Sequence, residues 1–135
     1  MCAHGRPEED DHGVRFYAGE VSDAYLQRAD VQRGYSVVIW RGRHVAEPTE
    51  LDEAEAVRYW LELLEVGRAL ERHLQPVKLN YDFLGNSLPH LHTHVIPRYA
   101  DDPRPGWPFP FPEEDAPRDE AELRADVAAL RLLLA

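Results

Sequence analysis

The chain has a single cysteine, Cys2, and a single lysine, Lys78. One thiol cannot build a disulfide framework, and there is no Cys-x-x-Cys pair to hold a structural zinc. No apolar run approaches the roughly 20 residues a membrane-spanning helix needs, and the first residues lack the apolar centre of a secretory leader. A cytoplasmic location is the expectation. Positive charge is also scarce: 15 Lys and Arg against 25 Asp and Glu leave a net charge of −10, with a pI near 5.1. A sequence-independent nucleic-acid surface wants a basic stripe. Neither nucleic acid nor a membrane is therefore expected as a partner, and an anionic small molecule held at a few local cations fits better.

At 135 residues, 44% hydrophobic and 30% charged, the composition is that of one ordinary globular domain. Histidine is the residue out of proportion. Three of the seven fall on alternate positions in His90-Leu91-His92-Thr93-His94-Val95-Ile96-Pro97-Arg98. Period 2 predicts a β-strand, whose successive side chains point to opposite faces. His90, His92, His94 and Ile96 then share one face, and Leu91, Thr93 and Val95 face a core. Pro97, which has no backbone N–H, is expected to end the strand.

Histidines two apart on a strand are about 6.5 Å apart along it, so His90 and His94 are separated by about 13 Å. A tetrahedral zinc needs converging ligands near 2 Å; two of the rings can share a metal, but three from a flat strand would be strained. A row suits a linear polyphosphate instead. One imidazole, neutral at pH 7, attacks phosphorus and forms a covalent intermediate, while its neighbours bind oxygens or move protons.

These residues resemble the histidine-triad motif of the HIT superfamily of nucleotide hydrolases and transferases. Lys78-Leu79-Asn80-Tyr81, Leu84-Gly85-Asn86 and the stretch from Pro89 to Arg98 together resemble its diadenosine-polyphosphate-hydrolase-like branch, and the similarity runs from about Arg15 to Asp102. The resemblance implies an α+β fold, usually a two-fold homodimer. It implies His92 as nucleophile, with His90 and His94 orienting it, binding phosphate oxygens and moving protons. Asn80, Asn86, Ser87 and Arg98 would stabilise charge on the phosphate. Gln27 stands where the family carries an Asp or Asn that binds ribose; an ordinary surface glutamine is the alternative. No cofactor or metal is required in the protein, and Mg²⁺ is expected only as a companion of the substrate. A nucleotide phosphoramidase, a phosphorylase, and a non-catalytic nucleotide- or metal-binding module remain as alternative functions.

The rest of the chain supplies a scaffold. Residues 1–13 are polar and read as a solvated end, 14–100 as the HIT domain, and 101–135 as a proline-rich extension with a final helix. Strands are predicted near 14–21, 24–28, 35–40 and 77–81, the 35–40 run being apolar enough for the centre of a sheet. The 77–81 strand is expected to pair with the histidine strand. Thr49 is the predicted N-cap of a long helix. Ala54, Val57, Trp60, Leu61, Leu64, Gly67, Leu70 and Leu74 are its predicted packing stripe. Gly67 suggests close approach of another backbone. His44 matches a histidine the family often shows at this point and is expected to be structural. Trp107, Phe109 and Phe111 are expected to pack on the body or a partner. Asp119 and Glu122 read as a capping box for a helix marked by Leu123, Val127, Leu130 and Leu134.

Overall fold

A computed structural model describes residues 6–103, 106–108 and 116–135. Five antiparallel strands form one sheet: β1 (Gly13–Ala18), β2 (Ser22–Gln27), β3 (Ser36–Trp40), β4 (Lys78–Asp82) and β5 (His92–Arg98), in the order β1-β2-β3-β5-β4. Helix α1 (Glu53–Leu74) and helix α2 (Glu120–Leu134) complete an α+β fold. Both helices pack on one face of the sheet, where Ala24, Leu26, Val38, Leu79, Leu91 and Val95 meet Tyr59, Leu63, Val66, Leu70, Leu123, Val127 and Leu130. The other face carries a smaller apolar group of Tyr35, Val37 and Ile96.

The histidine strand is shorter at one end and longer at the other than its pattern predicts. His90 precedes β5, because its ring and the following backbone turn to meet the end of β3 and Val45. Pro97 does not end the strand; it pairs with Leu79, and Arg98 with Lys78. N–H and C=O of one strand residue point to the same side. The Pro97 carbonyl accepts from Gln32 Nε2 at 2.9 Å, on the β3 side, where strand pairing begins only at Ser36↔Val95. The missing N–H therefore breaks no ladder bond.

Helix α1 also starts later than expected. Residues 48–50 form a separate 3₁₀ turn, and Asp52 rather than Thr49 is the N-cap. Asp52 accepts from the Glu55 N–H while Glu55 reaches back to the Asp52 N–H, satisfying donors that the first turn leaves open. The buried stripe is Tyr59, Glu62, Leu63, Val66, Gly67, Ala69 and Leu70. Val57, Trp60 and Leu61 are about half exposed, contrary to the predicted stripe. A broad apolar helix surface admits two orientations, and Glu62 decides between them. Its buried carboxylate accepts from the Glu20 and Val21 N–H groups, the Ser22 hydroxyl and Arg58, fixing the β1–β2 turn to the helix. Gly67 is small for the Tyr81 hydroxyl, which would lie 2.5 Å from an added Cβ, rather than for a backbone.

The segment at 6–11 is largely exposed, as a solvated end should be, but it is tied down by side-chain contacts. Arg6 is ion-paired with Asp23, Pro7 accepts from the Tyr25 hydroxyl, and Glu9 meets Arg28 and Arg124. Trp107 is 69% exposed and so does not pack on the body of its own chain; Phe109 and Phe111 lie outside the described residues. Helix α2 is capped by Asp119, whose carboxylate accepts from the Glu122 N–H. Its Asp126 is buried among Arg33, Arg118 and His73. Among the described residues no helix is long and apolar enough to cross a membrane.

Candidate active site

Pairing register places the histidines. Asp23, Ile39 and His92 form one row across β2, β3 and β5; Tyr25, Val37, His94 and Asp82 form the next, continuing into β4. Asn80 faces Ile96, one row beyond His94, and Lys78 faces Arg98. Residues opposite one another in a ladder share a face, so all of these lie on the face away from the helices. His90, His92 and His94 are all buried. The rings of His92 and His94 are 5.1 Å apart, and His44 lies at the rim with its ring 5.6 Å from that of His90.

Hydrogen bonds assign the protons. His92 Nδ1 lies 2.7 Å from the carbonyl oxygen of His90. A carbonyl only accepts, so Nδ1 carries the hydrogen, and the neutral ring keeps its lone pair on Nε2. His90 Nε2 donates to the Trp40 carbonyl at 2.6 Å, leaving Nδ1 as its basic nitrogen. His94 Nδ1 is 2.7 Å from the Tyr35 hydroxyl, the two rings meeting edge to face. Burial pushes the His90 pKa down, against the pull of the Trp40 carbonyl. Burial, with His92 alongside, brings His94 down to about 4. His94 is therefore neutral at pH 7.

Other candidate residues are dispersed around this row. Asn86 and Ser87 are exposed in the loop of residues 83–89 that leads into His90. Gly85 in that loop has φ +89, a left-handed conformation that glycine adopts without penalty. Phe83, Leu84 and Gly85 line, with residues 46–48, a small cavity of about 60 Å³ that reaches His90 and His92. That volume is far below the roughly 300–1,000 Å³ of a small-molecule pocket, and His92, His94, Val37 and Ile96 on the sheet face beside it are buried. Asn80 accepts from Arg98, whose guanidinium also grips Asp102 at 2.5 and 3.1 Å. Gln27 ends β2, half-buried, its N–H bonded to the Tyr35 carbonyl. Asp82 beside His94 and Tyr35 behind it were not singled out from the sequence. Tyr35 sits two residues before Val37 and four before Ile39, a period-2 signal that becomes useful only once β3 is known to pair with β5. Among the described residues, no group of three or more His, Cys, Asp or Glu is arranged to hold a metal ion.

A family model described as the HIT domain matches residues 9–101. That is well over half of the chain, which therefore belongs to the HIT domain family. A curated relative, Protein hit of Bacillus subtilis, is 28% identical over 92 residues, covering 64% of this chain and 63% of that protein. The chain thus spans just under two thirds of that relative's length. The solved structure of a histidine triad protein from Bradyrhizobium japonicum is 26% identical and covers 92% of each chain with a TM-score of 0.80. A histidine triad (HIT) protein from Sinorhizobium meliloti matches with a TM-score of 0.82 at 23% identity, over 91% of this chain and 90% of that one. Membership supports, in general terms, a nucleotide-binding or nucleotide-hydrolysing function.

Proposed function

We propose that the chain is a nucleotide hydrolase or transferase that cleaves at the α-phosphate of dinucleoside polyphosphates or related nucleotide conjugates through a nucleotidyl-His92 intermediate. The observation that carries this reading is the bond from His92 Nδ1 to the His90 carbonyl. In the neutral ring it fixes the lone pair on Nε2, a nucleophile on the face that also holds His94. In the first step the Nε2 lone pair forms an N–P bond as the bridging P–O bond breaks, and the leaving phosphate takes its electrons. In the second, water attacks the same phosphorus, the N–P bond breaks, and the nucleoside monophosphate departs. His90 and His94 bind phosphate oxygens and move the protons. Asn86 and Ser87 donate from the 83–89 loop; Asn80 and Arg98 stabilise charge from the β4–β5 side, and Gln27 meets the ribose. No metal in the protein takes part; Mg²⁺ enters only with the polyphosphate.

The test is a chromatographic product assay with diadenosine tetraphosphate, with and without Mg²⁺ and inorganic phosphate. AMP and ATP are the expected products. ADP formed only with phosphate would make the protein a phosphorylase, and inertness toward both this substrate and nucleoside phosphoramidates, with nucleotide still bound, would make it a non-catalytic binding module.

We also infer that a second copy of the chain covers α1. The support is the exposed Val57, Trp60 and Leu61 on its outward side, with Trp60 stacked on Phe83 of the 83–89 loop at 6.2 Å. Apolar side chains gathered this way on a surface mark an interface.

A further inference from the structure

Of the three histidines, His90 and His92 have their hydrogens placed by backbone carbonyls, which no substitution removes. The His94 hydrogen is governed by a side chain. Tyr35 is 2% exposed, and its hydroxyl is 2.7 Å from His94 Nδ1. Two arrangements are open to such a pair: the hydroxyl donates to an unprotonated Nδ1, or a protonated Nδ1 donates to the hydroxyl. The second leaves the tyrosine hydrogen needing another acceptor, and a buried donor without one is costly. Among the described residues no other acceptor lies within hydrogen-bond distance of that hydroxyl. The phenol is also held firmly in its protonated form, since burial and the Asp82 carboxylate both raise its pKa. It therefore has a hydrogen to give at every ordinary pH.

Resting on the function proposed above, we propose that Tyr35 is a positioning residue for that reaction: its hydroxyl donates to Nδ1 of His94 and holds the His94 hydrogen on Nε2, making that ring a fixed donor to the substrate phosphate. A neutral imidazole can otherwise exchange its hydrogen between the two nitrogens, and in the wrong tautomer Nε2 would present a lone pair to an anionic oxygen. Among the described neighbours of His94, His92 beside it on β5 disfavours a second positive charge and Val37 opposite it on β3 is apolar; Asp82 on β4 is a carboxylate that favours the charged ring, and burial outweighs it. His92 as nucleophile and His94 as donor would then show opposite Nε2 states, each set by what its Nδ1 touches. Removing the outer partner of a metal-ligating histidine, which fixes its tautomer in the same way, costs about 10–100-fold.

The test is long-range ¹H–¹⁵N correlation NMR of the histidine rings in wild type and Tyr35→Phe at pH 7, with AMP as the titrated ligand, alongside kinetics on diadenosine tetraphosphate. The expected wild-type spectrum has His94 protonated on Nε2, its hydrogen shifting on AMP addition. Tyr35→Phe should give a mixture of His94 tautomers and lower kcat about 10-fold or more, with KM changed by less than about 3-fold. Wild-type His94 protonated on Nδ1 would overturn the proposal. So would a Tyr35→Phe variant with an unchanged His94 tautomer, whether or not its rate falls, because a merely structural contact behaves in that way. If wild type proves inert toward the substrate, the proposed reaction fails, while the ring spectra still decide what Tyr35 does to His94.

Discussion

His92 Nδ1 donates to the backbone carbonyl of His90, two residues back along the same chain, at 2.7 Å. The bond needs no partner side chain, and its acceptor lies just before the strand that begins at His92. It turns an imidazole that would otherwise sample two tautomers into one with a defined nucleophilic nitrogen.

His92→Asn keeps an amide that can donate to the same carbonyl but has no nitrogen able to attack phosphorus. Turnover of diadenosine tetraphosphate should fall by on the order of 10⁴-fold or more, as when a covalent nucleophile is lost. Thermal denaturation should show the fold retained, and calorimetry should show AMP still bound.

Stability should respond to His94. Its folded pKa of about 4 lies below the ordinary 6.5 of the unfolded chain. Between those values the unfolded chain binds more protons, so stability is present above pH 6.5 and is lost as pH falls toward 4. Full titration over that gap is worth about 3 kcal/mol. Urea unfolding across pH 4–7 should show this slope in wild type and a flatter one in His94→Asn.

The C-terminal helix should depend on one carboxylate. Burial alone would raise the Asp126 pKa, but Arg33, Arg118 and His73 outweigh it and hold it well below the usual carboxylate range. Asp126→Asn strands the buried Arg118 without its counter-charge. A loss of about 3–5 kcal/mol is expected, as for other broken buried pairs, together with faster hydrogen exchange across residues 120–134.

Exposed aromatic and aliphatic groups on α1 should define the assembly. Trp60→Glu and Leu61→Glu place charge in an apolar contact, so light scattering should find wild type at twice the mass of the chain and the double variant at the mass of one. A monomeric wild type would contradict the inferred pairing.

Much of the scaffold was legible because local pattern and global fold agree. Alternation in 90–96 set the faces of β5: Thr93 and Val95 are buried toward the helices, Thr93 bonded to Tyr59, while His92, His94 and Ile96 share the opposite face. The Asp119 cap of α2 followed from residue types alone. What failed depended on partners distant in sequence. The side of α1 that is buried is chosen by Glu62 reaching the β1–β2 turn, and Pro97 is tolerated because its N–H side has no strand at that point. Arg98 reaches Asn80, eighteen residues back on β4, a pairing that spacing does not reveal. Tyr35 joins the site only through the adjacency of β3 and β5, strands that are not neighbours in sequence.

The central claim is a double displacement at the α-phosphorus, and the most direct measurement is its stereochemical course. A dinucleoside polyphosphate carrying a chiral α-phosphorothioate is cleaved in ¹⁸O-labelled water, and the configuration of the released nucleoside phosphorothioate is determined by ³¹P NMR. Attack by His92 followed by attack of water inverts phosphorus twice, so retention of configuration is the predicted result. Inversion would mean that water attacks the substrate directly and would contradict the nucleotidyl-His92 intermediate.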